Sequence, residues 1–246
     1  MGQYLKLFRT SAEYSGSTEK PPVSHIIEDV NVIMEEKVNN NGHCYTDLGL
    51  PSGNLWACYN VGASDSSICG GYIQWSEIIT GETNINYFKR DNMRYWDSSI
   101  RRYTKYERSD WKRTLELEDD AARVIMGGDW ETPDVSDYDE LKSNCTSGIT
   151  EINGLTCATL TGSNGNTIAF PLCGFLNSTY ASYGNWEYGI VGYYWTKRWS
   201  KDGEQYPDDR PSTYVFNPSD GYYKIHESYD HRHAGLSVRG IIKVNS

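Results

Sequence analysis

The chain has 246 residues, of which 38% are apolar and 23% charged, and its formal net charge is −10. That length suits one sizeable domain with an appendage. Such acidity argues against general nucleic-acid binding, because phosphates are repelled, and no apolar run approaches the ~20 residues of a membrane span.

Residues 1–8 lack a long apolar stretch and a small-residue cleavage site, and Lys6 stands where a myristoylation motif needs Ser or Thr. Neither a secretory signal nor a lipid anchor is expected. Within residues 1–40, Tyr4-Leu5-Lys6-Leu7-Phe8 and the apolar runs from His25 to Met34 read as strands, broken by Pro21-Pro22. This segment is too small for a core of its own. It is expected to anchor or oligomerise the chain, with Asn39-Asn40-Asn41-Gly42 as the boundary turn.

Residues 41–246 are expected to form the main domain. Tyr45-Thr46-Asp47 predicts a strand, Pro51-Ser52-Gly53 a turn, and Asn54-Leu55-Trp56-Ala57-Cys58-Tyr59-Asn60-Val61 the partner strand. Ser64-Asp65-Ser66-Ser67 offers caps for a brief helix. Residues 81–113 read as a long insertion with marginal structure. Its cluster Lys89, Arg90, Arg94, Arg101, Arg102, Lys105, Arg108, Lys112 and Arg113 reads as a solvated arm offsetting nearby acids. A short helix is predicted over 118–124, with acids at its start. A better one is predicted over 133–142, where Asp134 serves as N-cap and Val135, Tyr138 and Leu141 share a face. A hairpin is predicted over 157–170, turning at Ser163-Asn164-Gly165-Asn166.

Motifs for catalysis are missing: there is no nucleophile elbow, P-loop or dinucleotide fingerprint. No catalytic residue is assigned. The six cysteines include no C-x-x-C pair, and without an export signal they are expected to be free, buried thiols. His231 and His233 would share one face of a strand, with His226 and Asp230 near. No further ligand run supports a metal, so these read as surface histidines, and no cofactor is expected.

Ten of the 20 tyrosines and three of the 8 tryptophans fall within 180–233, interleaved with polar residues. Stiff aromatic rings with polar tips make a recognition surface.

Several separated blocks carry a resemblance. They are Asp47-Leu48-Gly49-Leu50-Pro51-Ser52-Gly53-Asn54-Leu55-Trp56-Ala57-Cys58-Tyr59-Asn60-Val61-Gly62-Ala63, then Gly127-Gly128-Asp129-Trp130-Glu131-Thr132-Pro133, then Gly192-Tyr193-Tyr194-Trp195-Thr196 and Gly235-Leu236-Ser237-Val238-Arg239. Their order and spacing over 44–244 resemble the major paralogous domain of gut Bacteroidetes and their phages. That domain is similar to the C-type-lectin fold in its formylglycine-generating-enzyme branch. A subset resembles the variable proteins of diversity-generating retroelements, including phage tropism determinants.

The resemblance implies an α+β C-type-lectin fold with short antiparallel strands, two helices and long loops. Its implied framework residues are Trp56, Trp75, Trp130, Trp195, Val215 or Phe216, Leu236 and Val238. The implied function is non-catalytic binding of a protein or glycan on a cell surface, from a phage tail or a cell envelope, through a variable region at about 193–234. Self-association or assembly into a virion fits that role; nucleic acid and membrane insertion do not. The exposed contact positions expected are Lys197, Trp199, Tyr206, Asp208, Tyr222, Tyr223, His226, Tyr229, Asp230, His231 and His233. A conventional adhesin or glycan-binding module without hypervariation is the alternative, and a formylglycine-type enzyme the third. Glu131 stands where the family often has Arg, and Gly240 where it often has Pro. The calcium-ligand triplets of sugar-binding C-type lectins are missing.

Overall fold

The structure is a computed structural model and describes residues 37–38, 40–66, 68–107, 109–199, 210–218 and 224–244. In chain order its first strands are β1 (Lys37–Val38), β2 (Cys44–Asp47), β3 (Leu55–Asn60), β4 (Trp96–Asp97) and β5 (Arg102–Tyr103). Helix α1 (Ala121–Met126), β6 (Trp130–Glu131) and helix α2 (Val135–Asn144) follow. Then come β7 (Thr146–Ile152), β8 (Leu155–Thr161) and β9 (Thr167–Pro171). The closing part holds β10 (Cys173–Phe175), β11 (Trp186–Tyr188), β12 (Gly192–Trp199), β13 (Pro211–Asn217), β14 (Lys224–Tyr229) and β15 (Arg239–Ile242). The class is α+β, mostly strands with two α-helices among the described residues.

The first and last strands of the described residues share one sheet, ordered β1-β2-β3-β15-β6, with Ile241 opposite Trp56. A second sheet runs β11-β10-β12-β13-β14, and β7-β8-β9 form a third. The predicted strand pair at 45–61 is β2–β3, and the predicted hairpin at 157–170 is β8–β9. Lys37–Val38, at the end of the amino-terminal segment, pairs with β2; residues 1–36 lie outside the described residues.

Both helices start where carboxylates cap them. Asp134 Oδ1 accepts the Val135 N–H at 2.7 Å while Asp137 Oδ2 accepts the Asp134 N–H at 2.7 Å. These two acids satisfy donors that the first turn cannot pair internally. α1 starts later than the expected 118, because Asp120 is the cap, accepting from Ala122 and Arg123; residues 117–119 form a 3-10 turn. The helix expected after Ser64 is a turn among the described residues.

α2 packs Tyr138 and Leu141 onto a core of Trp56, Phe170, Tyr194, Tyr214 and Phe216. Tyr138 stacks on Tyr214 with ring centroids 4.6 Å apart, and Phe170 on Phe216 at 4.5 Å. Such pairs each add about 0.5–1.5 kcal/mol beyond the area they bury. Every expected framework residue is buried, from Trp56 to Val238.

Arg239 passes through this core fully buried, with its guanidinium 4.6 Å from the Phe170 ring centroid. Its Nη1 donates to the Ala57 and Cys58 carbonyls, its Nη2 to the Ala169 carbonyl and its Nε to Asn60 Oδ1, at 2.7–2.9 Å. One side chain thereby ties β3, β9 and β15 together. Burial lowers its affinity for a proton, but carbonyl dipoles replace the lost water.

The expectation of free thiols is corrected for four cysteines. Cys44 and Cys58 are joined across β2–β3, and Cys69 is joined to Cys173 over a sequence separation of 104 residues. The fold brings these pairs to Cα separations of 5.5 and 5.6 Å, which spacing along the chain could not disclose. Cys145 and Cys157 are free thiols.

Candidate functional site

The segment after β14 bends sharply. Asp230 Oδ1 accepts the His231 N–H at 2.6 Å, and the His231 carbonyl accepts the Ala234 N–H at 2.8 Å. Arg232, between the two histidines, turns inward and is fully buried. Its guanidinium lies 3.9 Å from the Tyr103 ring centroid and 5.4 Å from that of Trp75. Nη1 donates to the Lys105 and Tyr106 carbonyls, and Nη2 to Ser76 Oγ. Arg232 thus pins the 230–233 turn to the insertion through cation–π contacts and hydrogen bonds. Gly235 then passes so close to Phe88 that a β-carbon there would lie 2.2 Å from the ring. The requirement at Gly235 is close approach, met by a residue with no side chain.

The insertion is not marginal. Phe88, Met93, Tyr103 and Tyr106 are buried, and β4 pairs with β5. Fully buried Asp119 holds it down, accepting from Arg94, the Tyr95 hydroxyl, Lys105 and the Tyr106 hydroxyl at 2.5–3.0 Å. Burial acts to raise the Asp119 carboxyl, but the bonds from Lys105, Tyr106 and Tyr95 outweigh it, so it sits below the ordinary range. Arg94, Lys105 and Lys112 do offset acids, as expected, but as ordered pairs with Glu77, Asp119, Glu116 and Glu118.

Between the insertion and the 230–233 turn lies an open cleft of about 440 Å³. Lys89, Arg90, Asp91, Trp96, Ser98 and Arg101 form its insertion wall. His231 and His233 form the opposite wall, with Ser178 and Thr179 between. Beside it, Phe175, Tyr180, Trp186 and Tyr193 form an aromatic group with centroid separations of 5.2–6.1 Å. Tyr193 donates to Glu187, and burial together with that carboxylate pushes its hydroxyl well up. Tyr180, Tyr188 and Ile190 are exposed.

The expected contact positions do not behave as one set. His226 and Tyr229 are exposed on β14, with the Arg210 guanidinium over the Tyr229 ring at 5.4 Å. Asp230 and His231 are half-buried at the cleft side of the turn. Burial raises the Asp230 carboxyl, against the His231 N–H and the positive groups nearby. His233 lines the cleft but is buried, so its expected exposure is corrected. The two imidazoles lie 5.0 Å apart, brought together by a turn rather than by the expected strand.

Trp199 is corrected more fully. It is buried against Trp75 with centroids 5.5 Å apart, because the outward side of β12 is roofed by the 73–77 loop. Lys197 is half-buried and paired with Glu131 at 2.9 Å, so it fastens β12 to β6. Tyr206, Asp208, Tyr222 and Tyr223 lie outside the described residues.

Carboxylates of Glu116, Glu118 and Asp119 lie within 4.8 Å of one another, the spacing of a cation site. The Lys105 ammonium already sits among them, at 2.5–3.2 Å. Their hydrogen bonds outweigh the cost of its burial and raise its proton affinity. The Cys145 and Cys157 thiols are pushed up to about 11 by burial, so both stay protonated near neutral pH and lack the character of an activated nucleophile.

The cleft's insertion wall escaped the sequence reading. Its signal was an excess of cations around Trp96 in an otherwise acidic chain, but charge alone did not say which cations would be neutralised. Comparison with protein-family models, with curated proteins and with solved structures finds no match.

Proposed function

We propose that this is a non-catalytic binding protein of C-type-lectin type, in which a fixed frame displays a replaceable carboxyl-terminal surface. Joining of the first and last described strands in one sheet, with β12, β13 and β14 in a second, supports that fold reading. The observation that carries the function is the division of labour within residues 193–239. Tyr194, Trp195, Tyr214, Phe216, Arg232 and Arg239 are buried, whereas His226 and Tyr229 project from the same stretch without entering the core. Side chains of the second kind can change identity at little cost to folding. Diversification by a retroelement, and attachment of a phage or cell to its target, follow from the resemblance of the Tyr-Tyr-Trp and Ser-Val-Arg blocks.

The test is a display library randomised at Tyr206, Asp208, Tyr222, Tyr223, His226 and Tyr229. Most members should keep the parent melting temperature, and binders to unrelated protein or glycan targets should emerge. General loss of folding, or no binder to any target, would defeat the reading. Sequences from sibling loci should differ at adenine-derived codons within 193–234 but spare Trp195, Tyr214 and Arg232.

The cleft supports a second reading, a glycan-binding module without hypervariation, because much of its lining belongs to the insertion rather than to 193–234.

A further inference from the structure

We propose that the cleft between the insertion and the 230–233 turn binds an acidic saccharide, a sugar carrying a carboxylate or sulfate. This rests on the reading of the protein as a binding protein and names a ligand class for one part of its surface.

Charge is the first argument. The chain carries a net −10, yet the cleft wall presents Lys89, Arg90 and Arg101 against a single carboxylate, Asp91. Three other cations of the insertion are spent on acids: Arg94 on Glu77 and Asp119, Lys105 on Asp119, Lys112 on Glu116. Lys89 and Arg101 are exposed and form no ion pair among the described residues. Two unneutralised cations at the mouth of one concavity favour an oxyanion, which an Arg fork holds with charge-assisted hydrogen bonds.

The rest of the lining selects what carries that oxyanion. Trp96 contributes its indole to the wall and is held in place from three sides. Its Nε1 donates to Asp91 at 3.1 Å, its ring meets Tyr103 edge-on at 5.0 Å, and the Arg90 guanidinium lies 5.6 Å from its centroid. A positioned aromatic ring offers the C–H face of a pyranose a stacking surface without loss of side-chain entropy. Ser178, Thr179 and Ser98 supply hydroxyls that donate and accept, as sugar hydroxyls require. A volume of about 440 Å³ lies within the usual range for small-ligand sites. A long polyphosphate is disfavoured by the chain's net charge of −10, which a small, singly charged ligand feels less.

The wall is built in advance of any ligand. Asp97 Oδ1 accepts from Ser99 N and Oγ at 2.8 and 2.6 Å, shaping the loop between β4 and β5. Arg101 closes that loop in the left-handed region, with φ +53°. The opposite wall is fixed by Arg232, whose bonds reach back into the insertion.

The test titrates the full chain calorimetrically with N-acetylneuraminic acid, glucuronic acid and glucose 6-sulfate. Neutral glucose, a tetraglutamate peptide and a short single-stranded DNA are the contrasting probes. At least one acidic sugar should bind about 10-fold or more tightly than glucose, the peptide and the DNA. Raising salt from about 50 to about 500 mM should weaken that binding. Which sugar wins separates carboxylate from sulfate recognition.

The double variant Lys89→Gln/Arg101→Gln should lose about 10-fold in affinity at an unchanged melting temperature. Lys142→Gln, an exposed charge on α2, should lose none. Trp96→Phe should weaken the acidic sugar less than the double variant does. Equal binding of glucose, tighter binding of peptide or DNA, no binding of any sugar, or indifference to the double variant would each overturn the proposal. If the sugars fail while the randomised library still folds and yields binders, this inference alone falls. If the library collapses while the sugars bind, the display reading alone falls.

Discussion

The carboxyl-terminal segment is two regions interleaved. Residues 232–239 and β14 lie close in sequence and both mix charged, polar and apolar residues, yet they do opposite work. Arg232 and Arg239 are wholly buried and donate to five backbone carbonyls between them, closing the fold over its own insertion and first sheet. His226 and Tyr229 stand on the outside of β14. A polar side chain is therefore no guide to exposure here. What decides is whether backbone acceptors inside the fold lie within its reach.

The largest expected effect lies on the buried side of this contrast. Arg239→Met keeps the apolar stem but removes the guanidinium bonds to the carbonyls of Ala57, Cys58 and Ala169. We expect a loss of about 3–5 kcal/mol in denaturant unfolding, from several buried hydrogen bonds lost together. Arg239→Lys should recover little, since a point charge cannot bridge three strands. A loss below about 1 kcal/mol for Met would place this residue with the exposed set.

Next comes the Cys69–Cys173 link, which closes a long loop between a turn and β10. Replacing both cysteines by Ser should cost about 2–4 kcal/mol. Thiol titration of the unfolded oxidised chain should count two thiols, Cys145 and Cys157, and six after reduction. Four or six before reduction would remove one or both links.

Asp119 sharpens the comparison through pH. Its folded carboxyl titrates below its unfolded value of 3.8, so it stabilises the fold above that value. The contribution is lost as pH falls through the folded value. Asp119→Asn should be destabilised by about 3 kcal/mol at neutral pH, because Lys105 and Arg94 lose a buried partner. The gap to the parent should narrow below about pH 4. Glu77, Asp120, Asp137 and Asp230 are raised and run the other way, their stabilisation fading as pH climbs. The difference between parent and variant isolates Asp119 from them, and a pH-independent gap would mean that the network does not depend on its charge.

The smallest effect is expected at β14. His226→Ala and Tyr229→Ala should each stay within about 0.5 kcal/mol of the parent, whereas Trp199→Ala, at the end of β12 in the same sheet, should cost about 3–5 kcal/mol. Equal costs at Tyr229 and Trp199 would erase the distinction on which the display reading rests.

Much of the local structure was legible in the sequence. The caps at Asp134, the β8–β9 turn and the β2–β3 pair follow from short-range rules, because the partners lie within a few residues or across one tight turn. The burial of Trp56, Trp75, Trp130 and Trp195 was also legible, since large rings in an ordered frame have few other places to go. Tertiary structure alone decided the rest. Trp199 went inward because a loop more than a hundred residues earlier roofs its strand, and the cysteines paired across separations that spacing does not encode. The nine cations of the insertion looked alike in sequence, but only folding placed Asp119 beside some and left Lys89 and Arg101 facing the cleft. Local patterns record what a residue prefers; its charge state and exposure depend on distant groups that contact it only after the chain has closed.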